Sequence, residues 1–271
     1  MIRKLLAAAA GATIAYGIGK AAKRLPLDSW ERPSFKGTSV SLVSGAQLAG
    51  GMMAGTLLTA RGSIRGASLV ATGAGAAAGY IDDHCEGSFA AQGKGFRGHL
   101  GALKQGKVTS GVAKIAIIGA GATVAGICLE KPRSFSGLIA AGVDALLIAS
   151  TANLINLLDL RPGRALKASG MVALPLALVQ KDGGVPLYAL MGAGTLVAPD
   201  DLNGTTMLGD LGANAMGAQL GVSLAATLPV PARLLALAGV AGLTLASEKV
   251  SFSSVIEHNR ILSMIDAFGR P

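Results

Sequence analysis

Long apolar runs broken by short polar stretches recur along the whole chain. Nine such runs stand out, at about 4–19, 40–60, 66–81, 110–129, 135–156, 166–180, 184–198, 211–228 and 232–246. None shows the strict alternation of a half-buried strand, and most are too long for one. Their lengths suit helices crossing the apolar part of a bilayer, although several, at about 15–17 residues, lie at the short edge for a span. The pattern therefore predicts an all-α, polytopic integral membrane protein with about nine transmembrane helices. Residues 1–249 form a single helical domain, and 250–271 a tail. That tail is too polar to span but is amphipathic. Val255, Ile256, Ile261, Leu262, Ile265 and Phe268 suit a helix lying in the interface plane.

Composition sharpens this picture. Of 271 residues, 51% are hydrophobic and 14% charged, against about 25% charged in a typical soluble domain. Mean hydropathy is +0.54. These values exclude an ordinary soluble enzyme and a disordered chain. Glycine, at 39 residues, is about twice as frequent as usual, while aromatics are only 4%. Small residues at this density let helices approach closely in lipid. The two cysteines, Cys85 and Cys128, are too few for a disulfide framework and read as packing residues.

Charge gives an orientation. The connections at 20–39, 82–109, 157–167 and 199–210, with the C-terminal tail, hold 15 of the 24 basic residues; the opposite set holds 8. Positive charge favours the cytoplasm, so the N-terminus is expected outside and the C-terminus inside. The start, Met1-Ile-Arg-Lys followed by an apolar run, also has the look of a signal peptide. No A-x-A cleavage site follows, and Lys20, Lys23 and Arg24 read as a stop.

The acids are more informative than the bases. Twelve of the 15 fall on the cytoplasmic set of connections, leaving Glu130 and Asp182 opposite and Asp144 within a span. Asp82-Asp83 closes the third run, Asp159 follows the fifth and Asp210 opens the eighth. A carboxylate at such a junction is half dehydrated, which raises its affinity for a divalent cation. Asn153, Asn156 and Asp159 are spaced i, i+3, so one helix face presents amide, amide and carboxylate in series. Lys114 lies about one turn inside the fourth run, where a charge is costly and marks a functional candidate, unless it snorkels to the head groups. The loop 82–109 carries Lys94 and Arg97 among Gly93, Gly95, Gly98, Gly101 and Gly106 and suits a mobile cover.

These motifs resemble the polyprenyl-phosphate N-acetylhexosamine-1-phosphate transferase superfamily. Gly79-Tyr-Ile-Asp-Asp83 is similar to its Asp-Asp signature and Asn153-x-x-Asn156-x-x-Asp159 to the first half of its N-x-x-N-x-x-D-G-x-D-G signature. Met207-Leu-Gly-Asp210-x-Gly212-Ala213, with Gly217-x-x-x-Gly221, resembles its G-D-x-G block. The resemblance implies a helical membrane enzyme of the cytoplasmic membrane, its active site facing the cytoplasm. Such an enzyme moves a sugar-1-phosphate from a UDP-sugar to polyprenyl (undecaprenyl) phosphate, with Mg²⁺, releasing UMP into cell-envelope glycan synthesis. It implies Asn156 and Asp210 as Mg²⁺ ligands, and Asp82, Asp83 and Lys114 as catalytic residues at the reacting phosphates. Asn153 and Asp159 would serve the nucleotide-sugar site, with Arg161 and Arg164 as phosphate clamps. The pattern also departs: Pro162 stands where the second signature aspartate is expected, and the C-terminal histidine cluster is missing.

Three other classes compete. Residues 114–126, Lys-Ile-Ala-Ile-Ile-Gly-Ala-Gly-Ala-Thr-Val-Ala-Gly, resemble a dinucleotide-binding turn. However, the following acid, Glu130, comes too early and no second βαβ unit follows. A transporter would place several ionisable groups deep in the membrane, where only Asp144 is expected. A non-catalytic relative that binds lipid or nucleotide, or scaffolds an envelope complex, is the third. Nothing in the sequence points to nucleic acid. A homodimer is compatible with small-residue faces such as Gly217-x-x-x-Gly221.

Overall fold

A computed structural model describes residues 1–34, 37–89, 101–102, 104–180 and 184–271. Lys36, Lys94, Arg97, Asp182 and most of the glycine-rich loop lie outside them. The described chain is all-α apart from one short hairpin. Its long helices are α1 (Ile2–Ala22), α2 (Val43–Thr59), α3 (Gly62–Cys85), α4 (Ser110–Glu130), α5 (Phe135–Leu158), α6 (Arg164–Val179), α7 (Val185–Leu202), α8 (Gly209–Thr227) and α9 (Val230–Ser247). The tail forms α10 (Phe252–His258) and α11 (Arg260–Ala267). Each expected apolar run coincides with one long helix. Four of them, α1, α4, α5 and α9, are long and apolar enough to cross a membrane.

The helix ends follow local chemistry. Thr109 caps α4 by accepting from the Val112 amide at 3.2 Å, and Ser134 caps α5 from Gly137 at 3.2 Å. Lys131 ends α4 in a left-handed conformation, and Pro132 then blocks continuation. One local expectation fails. Val40 and Ser41, counted in the second apolar run, belong to strand β2 (Ser39–Ser41), which pairs antiparallel with β1 (Glu31–Pro33). Two serines on either side of a β-branched valine suit a strand better than a helix start.

Helix α8 is the centre: 15 of its 19 residues are buried. Around it stand α3, α5, α2, α6 and α7, while α1 packs outside on α2 and α7. Contact with α3 and α5 is made through glycine notches. A Cβ on Gly75 would stand 2.7 Å from the Asn214 carbonyl oxygen, and one on Gly79 would overlap the Asp210–Leu211 backbone. On the opposite side, a Cβ on Gly217 or Gly221 would stand 2.6 Å from the Ala152 Cα or 2.7 Å from the Ile148 Cα. The Gly217-x-x-x-Gly221 face is therefore used within the chain, against α5, and is closed to a second copy.

The buried residues of α3 are only alanine, glycine, serine and threonine. Large apolar side chains such as Leu58, Leu178, Leu235 and Leu245 stand on the outer surface. Deep between the helices, Gln219 accepts from Thr72 Oγ1 at 2.7 Å and donates to the Pro186 carbonyl at 2.9 Å. One side chain thus ties α3, α7 and α8 together.

Candidate functional site

Four helices bring one polar group each to the same end of the bundle. Asp82 comes from the last turn of α3, Lys114 from the first turns of α4, Asn156 from the last turn of α5 and Asp210 from the first turn of α8. Lys114 Nζ lies 3.3 Å from Asp82 Oδ2 and is bonded directly to Asp210 Oδ2. With its amide oxygen turned to Lys114, Asn156 accepts from Nζ at 2.9 Å and donates to Asp210 Oδ1 at 3.1 Å. The Lys114 side chain is 13% exposed, those of Asp82 and Asp210 25% and 29%. The cluster is therefore half dehydrated yet open on one side, and its two carboxylates face one ammonium.

A second set of acids does different work. The first amides of α8 have no partner within the helix. Asp83 accepts from the Asp210 and Leu211 amides at 3.3 and 3.0 Å. Asp159 faces the Gly209 amide, and Asp201 faces that of Leu208. Three carboxylates from three helices thus gather on one positive helix end. Asp201 also takes the Gly163 amide at 2.5 Å, which fixes the turn into α6. Complete burial drives the Asp159 carboxyl well above its ordinary range, and the charges of Asp201, Asp210 and Asp83 act in the same direction. Gly209 makes this arrangement possible by taking φ +61°, a conformation costly for other residues.

The expected site residues thus separate into groups. Asp82, Lys114, Asn156 and Asp210 come together. Asp83 lies beside them as a cap of α8, and Asp159 is buried next to the start of that helix. Asn153 sits half-buried one turn before Asn156 on α5. Arg161 and Arg164 are held by the tail. Arg161 pairs with Glu257 at 3.1 Å, and Arg164 bonds Asp266 through Nε and Nη2 at 2.8 and 3.0 Å and Ser253 at 2.8 Å. Lys167 adds bonds to the Asp266 and Phe268 carbonyls, the latter at 2.9 Å. Sequence reasoning gave no role to Asp201 in this site and did not foresee that the tail would take both arginines.

Mg²⁺ takes oxygen ligands, commonly one or two carboxylates together with substrate phosphates and water. Asp82, Asp210 and the Asn156 amide are an all-oxygen donor set of that kind. Among the described residues, no group of three or more His, Cys, Asp or Glu side chains is arranged to hold a metal by itself. No protein-family model matches the chain, and no curated protein matches it either.

Proposed function

We propose that this chain is a membrane phosphotransferase that moves a sugar-1-phosphate from a UDP-sugar to a polyprenyl phosphate. The observation that carries the reading is the meeting of Asp82, Lys114, Asn156 and Asp210, from four helices, in one half-dehydrated cluster at the end of an apolar bundle. All nine long helices span the bilayer in this reading, with the N-terminus outside and the cluster facing the cytoplasm. The order of basic connections supports that orientation.

The reaction joins two anions. A lipid-phosphate oxygen forms a bond to the β-phosphorus of the donor, and the bridging P–O bond to UMP breaks. Asn156 and Asp210 would hold Mg²⁺, which would neutralise the charge of the diphosphate. Lys114 leaves its carboxylate partners for a phosphate oxygen, so the site exchanges one anionic partner for another. Asp82 or Asp83 orients the attacking phosphate and takes its proton. Asp83, which accepts from the first amides of α8, also holds Asp210 in place.

The test is UMP release by purified protein in detergent, with undecaprenyl phosphate and Mg²⁺, offered UDP-GlcNAc or UDP-MurNAc-pentapeptide. Release that is lost in Asp210→Ala supports the reading. Folded protein that releases no UMP from a wide donor panel would falsify it. That result would favour the non-catalytic relative, a reading already served by the tail's hold on Arg161 and Arg164.

A further inference from the structure

A cavity of about 440 Å³ opens beside the cluster, at the end of α3 and under the β1 hairpin. Its walls include Arg32, Tyr80, Asp83 and His84. The volume falls within the range of small-molecule sites. Three rings stand together here, in a chain with 4% aromatic residues. His84 stacks on Tyr80 at 4.5 Å with 15° between planes, and Trp30 packs on His84 at 4.6 Å. Tyr80 is 43% exposed, so the stack has a face turned outward. His84 Nε2 is buried without a hydrogen-bond partner among the described residues. Arg32 brings positive charge to the wall that Asp83 faces.

Asp83 connects this cavity to the cluster. It lines the cavity while its carboxylate holds the Asp210 and Leu211 amides, and its neighbour Asp82 bonds Lys114. The arginines expected to serve the nucleotide, Arg161 and Arg164, are engaged by the tail at a different part of the same end. We propose that this cavity is a nucleotide-base site: the planar base of the donor stacks on the Tyr80–His84 pair, and Arg32 meets the charge of the attached phosphates. This assignment rests on the transferase reading and specifies where that donor's base is held. Flat faces with a π-surface are what a base stacks on, and a guanidinium is suited to phosphate.

Trp30 is the only tryptophan, so its emission reports on this cavity without a label. The experiment is a titration of the full chain in detergent with UMP and UDP, using inorganic diphosphate as the base-free control. The expected result is a saturable change in emission with both nucleotides and none with diphosphate. His84→Ala should weaken binding about tenfold, the size of one lost base–ring stack. His84→Phe, which keeps a ring, should bind within about threefold of wild type, showing that the loss in His84→Ala is not a failure to fold. Four results overturn the proposal: no emission change in folded protein, equal response to diphosphate, a response that survives His84→Ala unchanged, or a response only to lipid head groups. The last would mark Trp30 and Tyr80 as interfacial anchors. UMP release with a silent Trp30 removes this site and leaves the transferase reading. A saturable nucleotide response without UMP release from any donor does the reverse.

Discussion

The ammonium of Lys114 is bonded to the carboxylate of Asp210, 96 positions later in the chain and on another helix. The same ammonium reaches Asp82 on a third helix. Lys114→Met therefore leaves two half-dehydrated carboxylates facing each other. On the proposed transferase reading, UMP release should fall by at least about 100-fold, the scale seen when one preorganised charge is removed from an active site. Thermal stability should fall as well. The double variant Lys114→Met/Asp210→Asn should recover most of the lost melting temperature and none of the activity, which a double-mutant cycle reads directly.

Gly79 brings α3 against the first turn of α8, where a Cβ would overlap backbone that cannot move aside. Gly79→Ala should cost about 1–3 kcal/mol and lower UMP release by displacing Asp210 relative to Asp82. Gly66→Ala on the same helix has open space around it and should be neutral or slightly stabilising. Melting curves of the two variants side by side separate a packing effect from a general effect of added methyl groups.

Asp159 is destabilising when charged. Its folded carboxyl titrates well above the ordinary value, so the native state is favoured while the group is protonated. That advantage is lost as pH rises from about 4 through the raised folded value. Asn imitates the protonated acid. Asp159→Asn should therefore melt above wild type at pH 8 and with little difference near pH 4. A variant that melts lower than wild type at pH 8 would show that the charged form is needed.

Asp266 has the opposite sign. Burial alone would raise its carboxyl, but the Arg164 hydrogen bonds and the Arg164 and Arg270 charges outweigh burial and hold it below the ordinary range. Its contribution to tail docking is complete above about pH 4 and disappears as pH falls through the lower folded value. Limited proteolysis should find the segment after Ser251 protected at pH 5–7 and cut in Arg164→Ala at the same pH.

Arg233 fastens α9, a helix with no buried residue of its own, to the rest of the bundle. It bonds Glu130 at 2.5 Å and the fully buried Asp144 at 2.9 Å. Arg233→Ala strands a carboxylate between helices and should cost about 3 kcal/mol or more. Removing both charges in Arg233→Leu/Asp144→Leu should restore most of that loss, as measured by unfolding in detergent.

The long helices were legible because apolar runs and polar connections alternate without ambiguity, and each run found its helix. Asp82, Lys114, Asn156 and Asp210 were legible for a related reason: a polar group at the edge of an apolar run is costly and calls for a partner. Which partner was not legible. Asp83 and Asp82 are neighbours of the same type, yet one caps α8 and the other pairs with Lys114. That division depends on how closely Gly75 and Gly79 let α3 approach α8. Arg161 and Arg164 read as phosphate clamps until the tail folds back onto them. Trp30 lies 54 positions before His84, and no local pattern joins them. Asp144 stands inside an apolar run, where an acid calls for a partner, but that partner, Arg233, 89 positions on, follows only from the fold.

The small side chains where α3 and α5 meet α8 set a local rule of mutational tolerance. Leu58, Leu178 and Leu235 stand exposed on the outer surface, where side chains of similar polarity can exchange. The alanines and glycines between α3, α5 and α8 have no larger substitute. Sequence drift should therefore run through the bulky positions and spare the small ones. Distant relatives of this chain are better sought by the spacing of its interior glycines and edge carboxylates than by its leucines.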